Sequence, residues 1–186
     1  MTERIIKYCN ILPKIAPQAM IADNATITGD VEIGNKTNIW YGCVIRGDVA
    51  PIKIGDGTNI QDNSVIHVSR ANHPTNKTGD QVAPTIIGKG VTVGHKALIH
   101  AGLSGDYCFI GMGSIIMDLA NIEDHAMIAA GAVVTPQKQI KYGEIYAGNP
   151  AKFLRKMSEE EIRYIKTSET NYIKLAEEYF KYFSDK

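Results

Sequence analysis

The stretch IADNATITGDVEIGNKTNIWYGCVI, residues 21–45, places isoleucine at Ile21, Ile27, Ile33, Ile39 and Ile45, one every six residues. An α-helix returns to its buried face every 3.6 residues and a strand every two, so this file is the signature of neither. It predicts a solenoid of short parallel β-strands. Each six-residue unit is one wall of a coil and buries its apolar side only when neighbouring coils stack on it. Beyond Ile45 a three-residue insertion intervenes and the file resumes at Ile54, Ile60 and Ile66. A longer interruption leads to Ile87, Val93 and Ile99, and one five-residue step resets the count to Ser104, Ile110, Ile116, Ile122, Ile128 and Val134.

A second inward position is expected four residues after each file member. It holds Ala25, Val31, Thr37, Cys43, Val49, Thr58, Ser64, Val91, Ala97, Leu103, Cys108, Ser114, Ala120, Ala126 and Ala132, nearly all small. Large residues at one inward position and small ones at the other let successive coils interdigitate at interior density. Glycines and short polar residues such as Gly34, Asn35, Gly55, Asp56, Gly88 and Gly105 fall between, where the chain turns.

The 20 basic and 20 acidic residues cancel, so no global field exists to hold nucleic acid. No apolar run reaches the roughly 18 residues of a membrane span, and the opening MTERIIKYCN lacks the layout of a secretion signal, which points to the cytoplasm. Cys43 and Cys108 occupy small inward slots, and packing explains them better than disulfides or catalysis. The repeat predicts a β-helix domain over residues 1–153 with a loop insertion at about 69–84, and a helical segment over 154–186. In that segment Ser158 and Glu161 form a capping box. Ile162, Ile165, Tyr172, Ala176, Tyr179, Phe180 and Phe183 follow at helical spacing, an apolar stripe that should lie along the prism wall or a neighbouring subunit. The string YAGNPAK, Tyr146–Lys152, reads as the exit turn, and Ile5 and Ile6 as a cover for the first coil.

The same register positions the histidines. From Ile66 to Ile99 is 33 residues, three six-residue units and a 15-residue interruption. If three units make a coil, His100 stands directly over His67, about 4.8 Å above it, close enough for two imidazoles to share one metal. His95 lies on the preceding wall and cannot easily join them within one chain, so a neighbouring copy must supply it. Three copies around a threefold axis would build three equivalent sites. Three imidazoles and an open fourth position describe a catalytic rather than a structural zinc. Counting back one coil puts Arg46 beneath His67 and Asp62 beneath His95. Arg46 of one subunit is therefore expected to pair with Asp62 of the next, with Gln61 and Asp48 available to orient water or accept its proton. His73 in the long loop and His125 at a distant corner read as solvated positions.

The strings WYGCVIRGD (Trp40–Asp48), NIQDNSVIH (Asn59–His67), VGHKALIHA (Val93–Ala101), IGMGS (Ile110–Ser114) and YAGNPAK resemble the γ-class carbonic anhydrase family of hexapeptide-repeat proteins. The likeness runs over about residues 10–180. It implies a left-handed parallel β-helix with a C-terminal helix, a handedness the periodicity does not show. It also implies a homotrimer that hydrates carbon dioxide to bicarbonate at a metal, zinc or else iron or cobalt. By the same resemblance the ligands fall on His67, His95 and His100, and the active-site polar residues on Arg46, Asp48, Asn59, Gln61 and Asp62. Two glutamates that some members use in proton transfer are replaced here by Val49 and Arg70, and Tyr172 of the tail helix could supply a polar group to a neighbour's site. Other functions compatible with a hexapeptide solenoid are coenzyme A dependent acyl transfer, acyl-CoA thioester hydrolysis, and a metal-holding scaffold without turnover.

Overall fold

A computed structural model describes residues 4–72, 74 and 79–184. The chain is an all-β solenoid, a left-handed parallel β-helix, followed by one α-helix, Glu159–Ser184. The file of apolar residues sorts into three walls. The first stacks Ile27, Ile45, Ile66, Ile99, Ile116 and Val134 in parallel register. The second stacks Ile21, Ile39, Ile60, Val93, Ile110 and Ile128. The third stacks Ile15, Ile33, Ile54, Ile87, Ser104, Ile122 and Ile140. Ile27, Ile39, Ile45, Ile60, Ile66, Ile110 and Ile128 are fully buried. Each such side chain contributes roughly 1.5–3 kcal/mol of apolar burial, and only because the coil above or below covers it.

Two of the expected inward residues lie elsewhere. Leu103 pairs with Ile86 and Asn121 and is half-buried. The inward place belongs to Gly102, where a Cβ would meet Ile116 Cγ2 at 2.9 Å and Ile99 Cγ2 at 3.3 Å. The five-residue step has lost its residue from the turn, so counting forward from Ile99 overshoots by one. The three-residue insertion has the opposite effect. Val31 pairs with the fully buried Ile52 across a bulge between Gly29 and Val31, while Val49 sits half-buried at the edge of the core. Strands Thr26–Ile33 and Val44–Ile54 run on through this corner instead of breaking at it.

The ends also differ from expectation. Strand Ile5–Ile6 pairs with Ile27–Thr28, yet its side chains stay 38% and 46% exposed, so it extends the sheet by hydrogen bonds without adding to the core. After Glu144–Ala147 the chain does not simply exit, because Lys152–Lys156 turns back as an antiparallel strand on that edge. The helix starts at the expected cap: Glu161 N–H donates to Ser158 Oγ (3.2 Å) and Ser158 N–H to Glu161 Oε2 (2.8 Å). The Arg155 guanidinium grips Glu161 with two bonds of 2.7 Å, and with the Ser158 N–H it holds that carboxyl down to about 2. The helix stripe covers the chain's own second wall. Ile165 packs with Ile145, Met157 and Phe109, while Tyr172 and Tyr179 meet the Trp40 ring edge-on at 5.9 and 5.2 Å. The side chains of Phe180 and Phe183 lie outside the described residues.

Candidate functional site

The histidine pair sits on the first wall. Parallel register sets His100 directly over His67, with ring centroids 5.2 Å apart. The long loop leaves and rejoins the solenoid without disturbing that stack, because Ser69 and Ala83 exchange two backbone bonds of 3.0 Å. Thr85 Oγ donates to the His67 carbonyl at 2.5 Å and ties the returning strand to the histidine backbone. Arg46, Asp48, Val49, Arg70 and both imidazoles line a cleft of about 230 Å³.

Every one of the three histidines faces a carboxylate. His67 Nε2 lies 3.0 Å from Asp48 Oδ1, His95 Nδ1 2.9 Å from Asp62 Oδ2, and His100 Nδ1 2.6 Å from Asp118 Oδ1. Asp48 also forms an ion pair with Arg46. Burial pushes the Asp48 carboxyl up, but the bond to His67 and the Arg46 charge outweigh it and hold the group below its ordinary value. Burial, followed by the Arg46 and His100 charges, holds the His67 imidazole below its ordinary 6.5 despite the opposing Asp48 bond. The expected pairing of Arg46 with the next subunit's Asp62 needs a second copy of the chain. Within one chain Arg46 turns to Asp48, the carboxylate two residues along its own wall, and Asp62 turns to His95. Asp118 escaped the sequence reading, although it stands two residues after the file member Ile116, one coil above His100.

A buried polar chain supports Gln61. Gln61 Nε2 donates to Asn59 Oδ1 at 3.0 Å, Asn59 Nδ2 donates to Thr92 Oγ1 at 3.0 Å, and Thr92 Oγ1 meets Ser168 Oγ of the helix at 2.9 Å. Asn59 and Thr92 are fully buried, and Gln61 and Ser168 nearly so. Asn59 is thus a support for Gln61, with no exposed face of its own. Ser168→Ala should cost about 1–3 kcal/mol, the penalty for stranding a buried partner, and a thermal melt would read it. An unchanged melting temperature would mean that the chain of bonds carries no net stability.

Of the remaining candidates, Tyr172 packs against Trp40 in its own chain, and burial pushes its hydroxyl upward with the Asp62 charge adding to the effect. His125 is half-buried, stacked on Tyr107 at 5.3 Å. His73 lies outside the described residues. His95 projects from the second wall, two residues past Val93. Among the described residues of one chain, no three His, Cys, Asp or Glu side chains form a group able to hold a metal.

Residues 12–47 match the bacterial transferase hexapeptide (six repeats) family. Gamma carbonic anhydrase 1, mitochondrial, of Arabidopsis thaliana is 48% identical over 89% of the chain, which spans 58% of that relative's length. A carbonic anhydrase of Geobacillus kaustophilus is 45% identical over 94% of the chain and 90% of its own. The crystal structure of a hexapeptide transferase family protein from Anaplasma phagocytophilum superposes with a TM-score of 0.85 at 48% identity, covering 93% of this chain and 96% of that one. With the repeat, the register and the stacked histidines on one wall, these likenesses carry one conclusion: the chain belongs to the γ-class carbonic anhydrase family of hexapeptide-repeat proteins.

Proposed function

We propose that this protein catalyses the reversible hydration of carbon dioxide to bicarbonate at a divalent metal site completed in a homotrimer. The observation that carries the reading is the in-register pair His67 and His100, opening with Asp48 and Arg46 onto one cleft. The donor set fits a metal: two neighbouring imidazoles on one wall, each beside a carboxylate and His100 held through its Nδ1, await a third donor from outside the chain. His95, presented on a different wall and partnered by Asp62, is the residue that a neighbouring copy would bring. Val44 and Val65, 36% and 38% exposed, precede Ile45 and Ile66 beside the Arg46 and His67 column, the apolar surface a second copy would cover.

A divalent metal held by His67 and His100 of one protomer and His95 of the next would supply Lewis acidity that brings the pKa of water to about 7. Were His67 to hold the metal, Asp48 Oδ1 would lose its imidazole partner and face the cleft as a hydrogen-bond acceptor. Arg46 keeps it ionised and holds its direction. Gln61, its amide fixed through Asn59, orients water or substrate from the second wall of the adjoining copy. Arg46 and Arg70 favour an anion in the cleft, which suits bicarbonate. The metal is zinc in this reading, with iron and cobalt compatible with the same imidazoles. Among the described residues, no helix is long and apolar enough to cross a membrane.

Stopped-flow hydration by the full chain, loaded with zinc, cobalt or anaerobic iron, tests this directly. Rates at the buffer background with all three metals would end the proposal, and calorimetric binding of acetyl-CoA in that case would redirect it to acyl transfer. Val49 and Arg70 leave no carboxylate at the two proton-export positions, so kcat should rise severalfold with added imidazole buffer while kcat/KM stays constant. A buffer-independent kcat would mean that another group exports the proton.

A further inference from the structure

Asp118 is the most deeply buried of the three carboxylates that face histidines, its side chain 6% exposed against 15% for Asp48 and 33% for Asp62. Two residues after the file isoleucine, the two coils below hold Val68 and Ala101, both apolar and buried. A hydrocarbon therefore satisfies the packing at this turn, and a carboxyl there costs desolvation unless it is partnered. Its partner is His100 Nδ1 at 2.6 Å. An ionised carboxylate can only accept, so a neutral imidazole facing it carries its proton on Nδ1. The other ring nitrogen, Nε2, then keeps a bare lone pair. In water the opposite tautomer, protonated on Nε2, prevails and would present a hydrogen to any cation. Asp48 acts differently on His67, because it bonds Nε2 itself and so competes for that nitrogen with any cation that enters the cleft.

We propose that Asp118 is a positioning residue for the metal centre, fixing His100 in the tautomer and orientation that offer Nε2 to a divalent cation. This inference rests on the metal reading above. It assigns to the first wall a second support that neither the register count nor the resemblance supplied. Removing such an outer partner typically lowers metal affinity by about 10–100-fold.

Long-range 1H–15N correlation on histidine-labelled, metal-free full chain at pH 8 reads the tautomer, with His100 assigned by its loss in His100→Gln. Wild type should show Nδ1 protonated and Nε2 bare. Asp118→Ala should move His100 to the Nε2-protonated form and weaken zinc binding, followed by calorimetry, by about 10–100-fold. Asp118→Asn, whose amide oxygen can still accept, should keep the wild-type tautomer and lose less than about tenfold. A wild-type His100 protonated on Nε2 overturns the inference even if Asp118→Ala fails to fold. So does an Asp118→Ala protein with the wild-type tautomer and zinc affinity. Failure of wild type to bind zinc at all sinks the metal reading instead, and the tautomer measurement tells the two apart.

Discussion

Replacing His67 with alanine is expected to remove zinc from the protein, lowering its affinity by more than about 100-fold, beyond the upper range for loss of an outer-shell partner. Carbon dioxide hydration should fall to the buffer background. The reason is geometric. His67 and His100 are the only in-register imidazole pair among the described residues, and without His67 one chain contributes a single nitrogen to the site. Burial also keeps the His67 imidazole below its ordinary 6.5, which favours the neutral form that a metal binds. Metal content by elemental analysis and mass by sedimentation should be read on the same sample. A trimer that persists without zinc assigns the metal to chemistry. Collapse to monomers would assign it chiefly to assembly, and retention of stoichiometric zinc would remove His67 from the ligand set.

The solenoid was legible because a period of six survives insertions and deletions in the turns. Each wall re-establishes its own count, as the alignment of Ile54 with Ile33 and of Ser104 with Ile87 demonstrates. What the count could not see is which side of a turn absorbs a gain or loss. That is why Gly102 and Ile52, and not Leu103 and Val49, fill the core. The stacking of His100 on His67 follows from register alone. The pairing of Arg46 with Asp48 does not, since two carboxylates lay within plausible reach and the choice depends on side-chain direction. Asp118 was hidden for a related reason: a carboxylate in a turn reads as solvated until the fold shows it buried against an imidazole. The antiparallel strand Lys152–Lys156 carries no repeat and no apolar alternation, and pairs only because the last coil leaves an edge.

Gly29→Ala should unite these levels, destabilising the protein and disabling the site together. Gly29 has φ +81°, a conformation that costs an L-residue about 1–2 kcal/mol. An added Cβ would also press on the Gly47 carbonyl oxygen and lie 2.8 Å from its carbon, backbone that no rotamer change can move aside. A Cβ placed on Gly47 would in turn press on the Asp30 carbonyl oxygen, so the two parallel strands lie close together at this register pair. Gly47 stands between Arg46 and Asp48, and any shift of its backbone carries both side chains away from His67. We expect a loss of at least about 2 kcal/mol, or roughly 4–8 °C in melting temperature, with a fall in kcat/KM of at least about tenfold. Gly113→Ala supplies the control. Its φ of +65° exacts a similar backbone penalty, but nothing lies within 4 Å of the added carbon, so about 1–2 kcal/mol and unchanged turnover should result. Equal melting temperatures and equal activity for the two variants would show that the close approach of Gly29 to Gly47 does not set the geometry of the cleft.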